Sequence, residues 1–362
     1  MKRKKLKKIW IILLGIVLIV LAYCSFLVLP LIAKDYSFAS SIKILKNNLR
    51  ETVLKQNYNK TFESAINNNN FNIKYVENYF EIEYKNHKNF ILNINALLSK
   101  GYLNSDINII NIKLSDNEIS LLAEKDYIKD ISKYLEFDFF KIKNLDRYIK
   151  YESDDYKEKI VHVNIGLDKE YYKEANLITN FDETVLANKY NKLDEKFEPS
   201  DIQKIKSECS IKDEYLSSVA KDAFEKMCDD AKLDKKYILA NSAYRSYKQQ
   251  QNVYNTYLNL YGKTYVNNYV ATPGFSEHQT GLAIDVAAKG YNIFKTSPEY
   301  KWMLENAYKY GFILRYPEGK EKLTGYKSEA WHYRYVGLDA AKYIQENKIT
   351  YDEYYVMFIE KN

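Results

Sequence analysis

The most pronounced hydrophobic pattern in the chain is an uninterrupted apolar run near its start. No residue from Ile9 to Ala33 is charged, and the run follows the basic segment MKRKKLKK. About 20 apolar residues are enough for a helix to cross the bilayer core, whereas the apolar part of a cleaved signal peptide has roughly 7–15 residues. The pattern predicts an uncleaved signal anchor over residues 1–34, with the basic flank in the cytoplasm and the later chain extracellular.

Two other interpretations of this segment remain open. A cleaved signal peptide requires small residues before its cleavage point, and Leu31-Ile32-Ala33-Lys34 is a poor match to that requirement. Acylation of Cys24, as in a lipoprotein, is disfavoured because the bulky Tyr23 precedes it in LAYCS.

The pattern of apolar positions changes after the anchor. Residues 35–79 are polar with short apolar groups and predict a stalk. Over residues 80–190 the spacing becomes helical: FILNINALLSKG stops at a glycine, and SDNEISLLAEKDYI opens with a capping box. We expect a small, mainly helical extracellular domain here, although the alternation in IVHVNIGL, residues 160–167, predicts one strand.

The last part of the chain mixes helices with strands. SIKDEYLSSVAKDAFEKMCDDAKL predicts a helix capped by Ser210 and Asp213, and SYKQQQNVYNTYLNLYG predicts one closed by Gly262. SPEYKWMLENAYKYG predicts a third, from Ser297 to Gly311. The segments YILANSAY, LAIDVA, FILRY and HYRYVG read as strands. Because regular βαβ alternation is missing, we expect an α+β domain over residues 195–350, with a tail at 351–362.

Charge and cysteine content narrow the function. Seven of the 54 basic residues and none of the 48 acidic residues lie in residues 1–34, which leaves 47 basic against 48 acidic residues beyond them. A near-neutral body argues against binding to nucleic acid. Cys209 and Cys228 are the two cysteines beyond the anchor, and outside the cell they can pair. They flank one predicted helix, so their pairing stays open.

The residues suited to catalysis lie in the last third of the chain. His278 and His332 are two of only four histidines, and Asp285 lies in the predicted strand LAIDVA. A buried aspartate needs a partner or a cation, and two histidines with one carboxylate suit Zn²⁺ while leaving a fourth position for water. Glu329, three residues before His332, is suited to take a proton from that water. Arg245, between a predicted strand and helix, is suited to grip a carboxylate or polarise a carbonyl oxygen.

Three segments together resemble one enzyme family. SAYRSYKQQ, GFSEHQTGLAIDV and GFILRYPEGKEKLTGYKSEAWHYRYVG are similar to the signature blocks of VanY-type D-alanyl-D-alanine carboxypeptidases, zinc peptidases related to LD-carboxypeptidases of the same fold. The resemblance covers about residues 195–350. It implies the Hedgehog/D-Ala-D-Ala-peptidase α+β fold. Ala243 and Phe275 depart from residues common in the family, and neither departure removes a catalytic group.

The resemblance also implies roles for seven residues. The zinc ligands are then His278, Asp285 and His332, with Glu329 as general base and Arg245 as the group that stabilises the oxyanion. Ser276 and Gln250 occupy positions that help to hold the C-terminal end of the substrate.

We therefore expect a membrane-anchored zinc carboxypeptidase that hydrolyses the terminal D-Ala-D-Ala bond of peptidoglycan stem peptides outside the cell. Three alternatives remain open: an LD-carboxypeptidase acting on tetrapeptide stems, an endopeptidase acting on cross-links, and a catalytically inactive peptidoglycan-binding protein. The oligomeric state stays open as well.

Overall fold

The computed structural model describes residues 2–360, with side chains from residue 7 onwards. The side chains of residues 1–6, which include most of the predicted basic flank, and residues 361–362 of the predicted tail lie outside the described residues. The contacts within the chain divide it into two compact units, residues 1–142 and residues 143–362.

The described residues of the first unit form helices and no strands. Helix α1 (Lys2–Ile32) contains a 26-residue stretch, Lys7–Ile32, that is long and apolar enough to cross a membrane. The later helices are α2 (Phe38–Lys46), α3 (Arg50–Lys55), α4 (Lys60–Ile66), α5 (Val76–Glu81), α6 (Phe90–Lys100), α7 (Asn104–Lys113), α8 (Asp116–Glu124) and α9 (Ile131–Tyr134).

The segment predicted as a stalk, residues 35–79, contains helices α2 to α4 and most of α5. Their apolar side chains are buried: Ile44, Val53 and Phe62 have no exposed surface. Its polar residues include helix caps, since Ser37 caps α2 and Asn59 caps α4 by accepting backbone N–H groups. A segment of polar composition therefore forms packed helices here. The division into a stalk and a separate domain stays a prediction.

The second unit combines helices with a four-stranded antiparallel sheet, which confirms the α+β class. The strands of this sheet lie in the spatial order Ile238–Ser242, Ala283–Ala288, His332–Tyr335 and Phe312–Leu314. The strands of the whole unit are β1 (Asn176–Leu177), β2 (Asn191–Lys192), β3 (Ile202–Lys204), β4 (Tyr215–Ser217), β5 (Ile238–Ser242), β6 (Ala283–Ala288), β7 (Phe312–Leu314) and β8 (His332–Tyr335). Its helices are α10 (Leu145–Lys150), α11 (Tyr156–Ile165), α12 (Ser218–Leu233), α13 (Tyr247–Tyr269), α14 (Pro298–Asn306), α15 (Glu321–Thr324), α16 (Leu338–Asn347) and α17 (Tyr351–Tyr354).

The core of this unit lies between the central sheet and helix α12. Phe224 and Met227 of α12 are fully buried in one apolar cluster with Ile284 of β6 and Tyr333 of β8. A disulfide bond joins Cys209 to Cys228 of α12, which resolves the pairing that the sequence left open. The four predicted strands of this region are confirmed as β5 to β8, and Ser297 and Gly311 bound α14 and the helical turn after it.

The strand predicted over residues 160–167 is wrong, because these residues belong mainly to helix α11. The carboxylate of Asp155 caps this helix by accepting the N–H groups of Lys157 and Glu158, and Gly166 ends it at φ +101°. A short run with alternating apolar residues fits a strand or a helix. The capping residues at both ends favour the helix.

The predicted start of α12 at Ser210 is also wrong. Residues 215–217 pair with β3 as strand β4, with Ile202 opposite Ser217. The helix begins only at Ser218, whose N–H donates to the carboxylate of Asp201 at 3.0 Å. Strand β3 and the capping carboxylate of Asp201 set this boundary, and a local sequence pattern cannot show either of them.

Gly262 ends the first of two helical stretches within α13, as the sequence predicts. Its φ and ψ of 79° and 174° interrupt the helix, which resumes and ends at Tyr269. The second part packs against the protein through Val266, which is fully buried. What the sequence did not predict is the second helical stretch, which follows the glycine directly.

Candidate active site

The predicted metal ligands meet at one end of the central sheet. Asp285 on β6 lies opposite His332, the first residue of β8, in the antiparallel register of the two strands. His278 precedes β6 in a short helical turn, Glu277–Thr280. One ligand atom from each of the three residues lies within 4.8 Å of the other two.

The turn that carries His278 depends on Gly281. This glycine ends the turn at φ +71°, and a Cβ there would lie 2.6 Å from Ile202 Cδ1. Its left-handed conformation turns the chain sharply into β6. The turn therefore brings His278 back beside Asp285, with the His278 Nε2 to Asp285 Oδ2 distance at 3.3 Å.

The three side chains fit a bound cation. The Nδ1 atom of His278 lies 2.6 Å from the carbonyl oxygen of Ala243, which can only accept, so Nδ1 carries the proton. In the neutral ring, which burial favours by lowering the pKa of His278, Nε2 then carries no proton. It and the Asp285 carboxylate are two acceptors facing each other. A cation between them resolves this conflict, and two imidazoles with one carboxylate are a donor set typical of catalytic Zn²⁺.

Glu277 lies beside the predicted metal ligand His332, a position that the sequence reasoning missed. Its carboxylate is fully buried, accepts from Arg315 Nε at 2.8 Å and lies 3.4 Å from Arg334 NH1. Its Oε2 lies 3.5 Å from His332 Nε2. Burial favours the neutral acid, but the two arginines hold the pKa of Glu277 well below its usual range. The sequence offers no signal for this role beyond adjacency to His278.

Glu277 and Asp285 flank the ring of His332 from two sides. His332 Nδ1 lies 3.0 Å from Asp285 Oδ1. Burial lowers the pKa of His332, but these two carboxylates outweigh it and raise the pKa to about 9. With Nε2 directed at Glu277, Nδ1 is the atom available to a metal, an arrangement of carboxylate, histidine and metal that recurs in metalloproteins.

Glu329 lies beside the predicted ligands without being one of them. Its Oε2 is 3.9 Å from His332 Nδ1, and its backbone N–H donates to the carbonyl oxygen of Tyr316 at 3.0 Å. Burial, with the negative charge of Asp285 adding to it, raises the pKa of Glu329 to about 8. A carboxyl group with this pKa can both accept and return a proton near neutral pH.

Arg245 lies near Asp285 Oδ2, the carboxylate oxygen of Asp285 that does not contact His332 Nδ1. Its NH2 lies 3.9 Å from Asp285 Oδ2 and donates to Ser242 Oγ at 2.8 Å. Its NH1 donates to Gln250 Oε1 at 2.7 Å, and Gln250 Nε2 donates to the carbonyl oxygen of Ala271. Both polar ends of the Gln250 side chain are therefore used inside the protein.

The hydroxyl group of Ser276 can still donate a hydrogen bond to a ligand. Its Oγ accepts from the N–H of His278 at 3.3 Å, and its own O–H has no acceptor among the described residues. All seven predicted site residues line one cleft with a volume of about 170 Å³. Tyrosines form much of the remaining wall, and the ring of Tyr316 lies 5.0 Å from that of His332.

Comparison with known proteins identifies relatives of this chain. Residues 213–338 match the model of the family described as VanY, D-alanyl-D-alanine carboxypeptidase. The chain is 37% identical over 219 residues to YodJ of Bacillus subtilis (strain 168), a match that covers 56% of this chain and 80% of YodJ. The chain belongs to the VanY family. The match to YodJ decides this, since it spans most of that protein.

Two further similarities concern VanY relatives. The chain is 36% identical over 177 residues to the bifunctional D-Ala-D-Ala dipeptidase and D-Ala-D-Ala carboxypeptidase VanXYC of Enterococcus gallinarum, which covers 47% of this chain and 92% of VanXYC. A solved VanY D,D-pentapeptidase from a VanB-type resistance cassette, in complex with Zn(II), is 32% identical with a TM-score of 0.42, covering 48% of this chain and 98% of that one. Membership of the VanY family makes this chain a zinc-dependent hydrolase of the carboxypeptidase type.

Proposed function

We propose that this VanY-family protein releases the terminal D-Ala from peptidoglycan stem peptides that end in D-Ala-D-Ala. The observation that carries the proposal is the placement of Glu329 and Arg245 on either side of His278, Asp285 and His332 in one cleft. A metal-binding cluster with a proton-accepting group and a fixed cation is the arrangement that peptide-bond hydrolysis needs.

His278 through Nε2, His332 through Nδ1 and one Asp285 oxygen are the atoms that would hold Zn²⁺. The ion would supply Lewis acidity and lower the pKa of a water in the position left open. Only three protein ligands converge among the described residues, which supports a catalytic site over a closed structural one.

Four other residues of the cleft have separate tasks in the proposed reaction. The Glu329 carboxylate takes a proton from the attacking water and returns it to the nitrogen of the leaving D-Ala. The guanidinium of Arg245 donates to the oxygen of the scissile carbonyl as negative charge develops there, and Gln250 acts by holding that guanidinium in place. The free O–H of Ser276 is available to the terminal carboxylate of the substrate.

The position of the enzyme also belongs to the proposal. We propose that α1 anchors the chain in the cell membrane and that the second unit acts outside the cell, where the substrate is. The length and exposed apolar surface of Lys7–Ile32 support an anchor.

Product analysis with the zinc-loaded, full-length protein tests the proposal. We expect release of D-Ala from a pentapeptide ending in D-Ala-D-Ala, and Glu329→Gln should retain zinc while turnover falls by about 10²–10⁴. Full activity of Glu329→Gln would contradict the role of this residue. Release of D-Ala from a tetrapeptide, with the pentapeptide untouched, would identify an LD-carboxypeptidase instead.

A further inference from the structure

A second groove adjoins the catalytic cleft and shares one of its walls. This lysine groove, of about 510 Å³, is lined by Tyr171, Lys189, Lys263, Lys322, Tyr326 and Lys327. Tyr326 also lines the catalytic cleft. The ring of Tyr326 lies 5.2 Å from that of Tyr316, which in turn contacts the ring of His332. Two ring contacts thus link the groove to a metal ligand.

A buried ammonium group forms the floor of the lysine groove. Lys189 is 2% exposed, and its Nζ lies 4.4 Å from the ring centroids of both Tyr171 and Tyr326. It donates to the carbonyl oxygen of Asn267 at 2.6 Å. Gly325 makes room for this side chain, since a Cβ there would lie 3.1 Å from Lys189 Cδ.

The lysines of the groove form no ion pairs with carboxylates in the part of the protein that the structure describes. Among the described residues, no carboxylate oxygen lies within 4.0 Å of the ammonium groups of Lys189, Lys263, Lys322 or Lys327. Glu321 is the one acidic residue that lines the groove in the described part of the chain. Burial lowers the pKa of Lys189 to about 8, as expected for a cation without a counter-ion.

We propose that the lysine groove binds a carboxylate carried by the substrate peptide on the acyl side of the scissile bond. The inference rests on the proposed function, and it adds a preference for peptides that are anionic upstream of D-Ala-D-Ala. The leaving group of a carboxypeptidase is a single residue, so only the acyl side is long enough to reach a second groove.

The reach of the substrate fits the distance. Two or three residues of extended chain span about 7–10 Å. The ring centroids of His332 and Tyr316 are 5.0 Å apart, those of Tyr316 and Tyr326 are 5.2 Å apart, and Lys189 Nζ lies 4.4 Å beyond Tyr326. A carboxylate at that point meets Lys189 at the floor and Lys322 and Lys327 at the exposed rim. It supplies negative charge to a groove in which, among the described residues, four lysines face one glutamate, Glu321.

Matched peptides test the inference on the zinc-loaded, full-length protein. N-acetylated pentapeptides ending in D-Ala-D-Ala carry Glu at one, two or three residues before this pair, and each is compared with its Gln counterpart. We expect kcat/KM for the Glu peptide to exceed that for the Gln peptide by about three- to fivefold at one position. This ratio should approach one in Lys322→Gln/Lys327→Gln and persist in Lys301→Gln, an exposed lysine of α14 outside the groove.

Each remaining outcome overturns a defined statement. If the wild-type protein hydrolyses Glu and Gln peptides equally at all three positions, the lysine groove does not read a carboxylate, although the proposed function stands. A Glu preference that persists in Lys322→Gln/Lys327→Gln and also in Lys189→Met places the recognition outside the groove. Failure to release D-Ala from any peptide removes the proposed function, and the inference with it.

Discussion

Replacement of Glu277 by glutamine tests whether a buried carboxylate orients the metal ligand His332. The change keeps the shape of the side chain and an oxygen that accepts from Arg315 Nε at 2.8 Å. It replaces Oε2, now 3.5 Å from His332 Nε2, by an NH₂ group. Two donors then face each other at a buried position.

The structure sets the size of both expected effects. Removing one partner of a buried ion pair typically costs about 3–5 kcal/mol. We expect a cost near 3 kcal/mol, about the lower end of this range. Both arginines lose the charge of Glu277, but Arg315 still pairs with the carboxylate of Asp352 at 2.6 Å, so only Arg334 is left without a carboxylate partner among the described residues. Loss of a partner that orients a metal-bound histidine weakens metal affinity about 10–100-fold, equivalent to roughly 1.4–2.7 kcal/mol.

Two assays separate these effects. Denaturant titration of the metal-free protein measures the free energy of unfolding, and competition with a chromophoric chelator measures the zinc Kd. Glu299→Gln is the matched control, since Glu299 is also buried and accepts from the N–H of Tyr237 but lies at the start of α14 away from the ligands. This control should lose stability and retain wild-type zinc affinity.

A zinc Kd for Glu277→Gln equal to that of the wild type, together with a loss of stability, would refute the reasoning. Glu277 would then stabilise the fold through the two arginines alone.

Three further predictions concern other parts of the molecule. Arg245→Lys should lower kcat by about 10²–10³ without changing zinc affinity, because its guanidinium donates to the oxyanion; an unchanged kcat would exclude that role. Replacing Cys209 and Cys228 together by serine should lower the free energy of unfolding by about 3 kcal/mol for a sequence separation of 19, as measured by denaturant titration, and equal stability of the two proteins would contradict it. A reporter fused after residue 60 should be active only outside the cytoplasm, with the full-length chain in the membrane fraction, whereas a shortened soluble form would indicate a cleaved signal.

Local features of the catalytic domain could be predicted well from the sequence. His278, Gly281 and Asp285 lie within eight residues, so a turn followed by a strand determines their arrangement almost alone. The strands around them were predicted correctly from short segments that contain β-branched or aromatic residues. Where two local structures fitted one pattern, as over residues 160–167, the sequence did not discriminate between them.

What only the tertiary structure decided involves residues far apart in the chain. His332 meets Asp285, 47 residues earlier, because β6 and β8 pair in one register. Pairing of β4 with β3 likewise makes α12 begin later than the local pattern predicts. The buried carboxylate of Glu277 accepts a hydrogen bond from Arg315, 38 residues later. The apolar length of α1, the chemistry of the ligand set and the turn at Gly281 follow from the sequence, since neighbouring residues determine them. Which distant side chain completes a buried charge follows only from packing, because any carboxylate in the chain offers the same chemistry until the fold selects one.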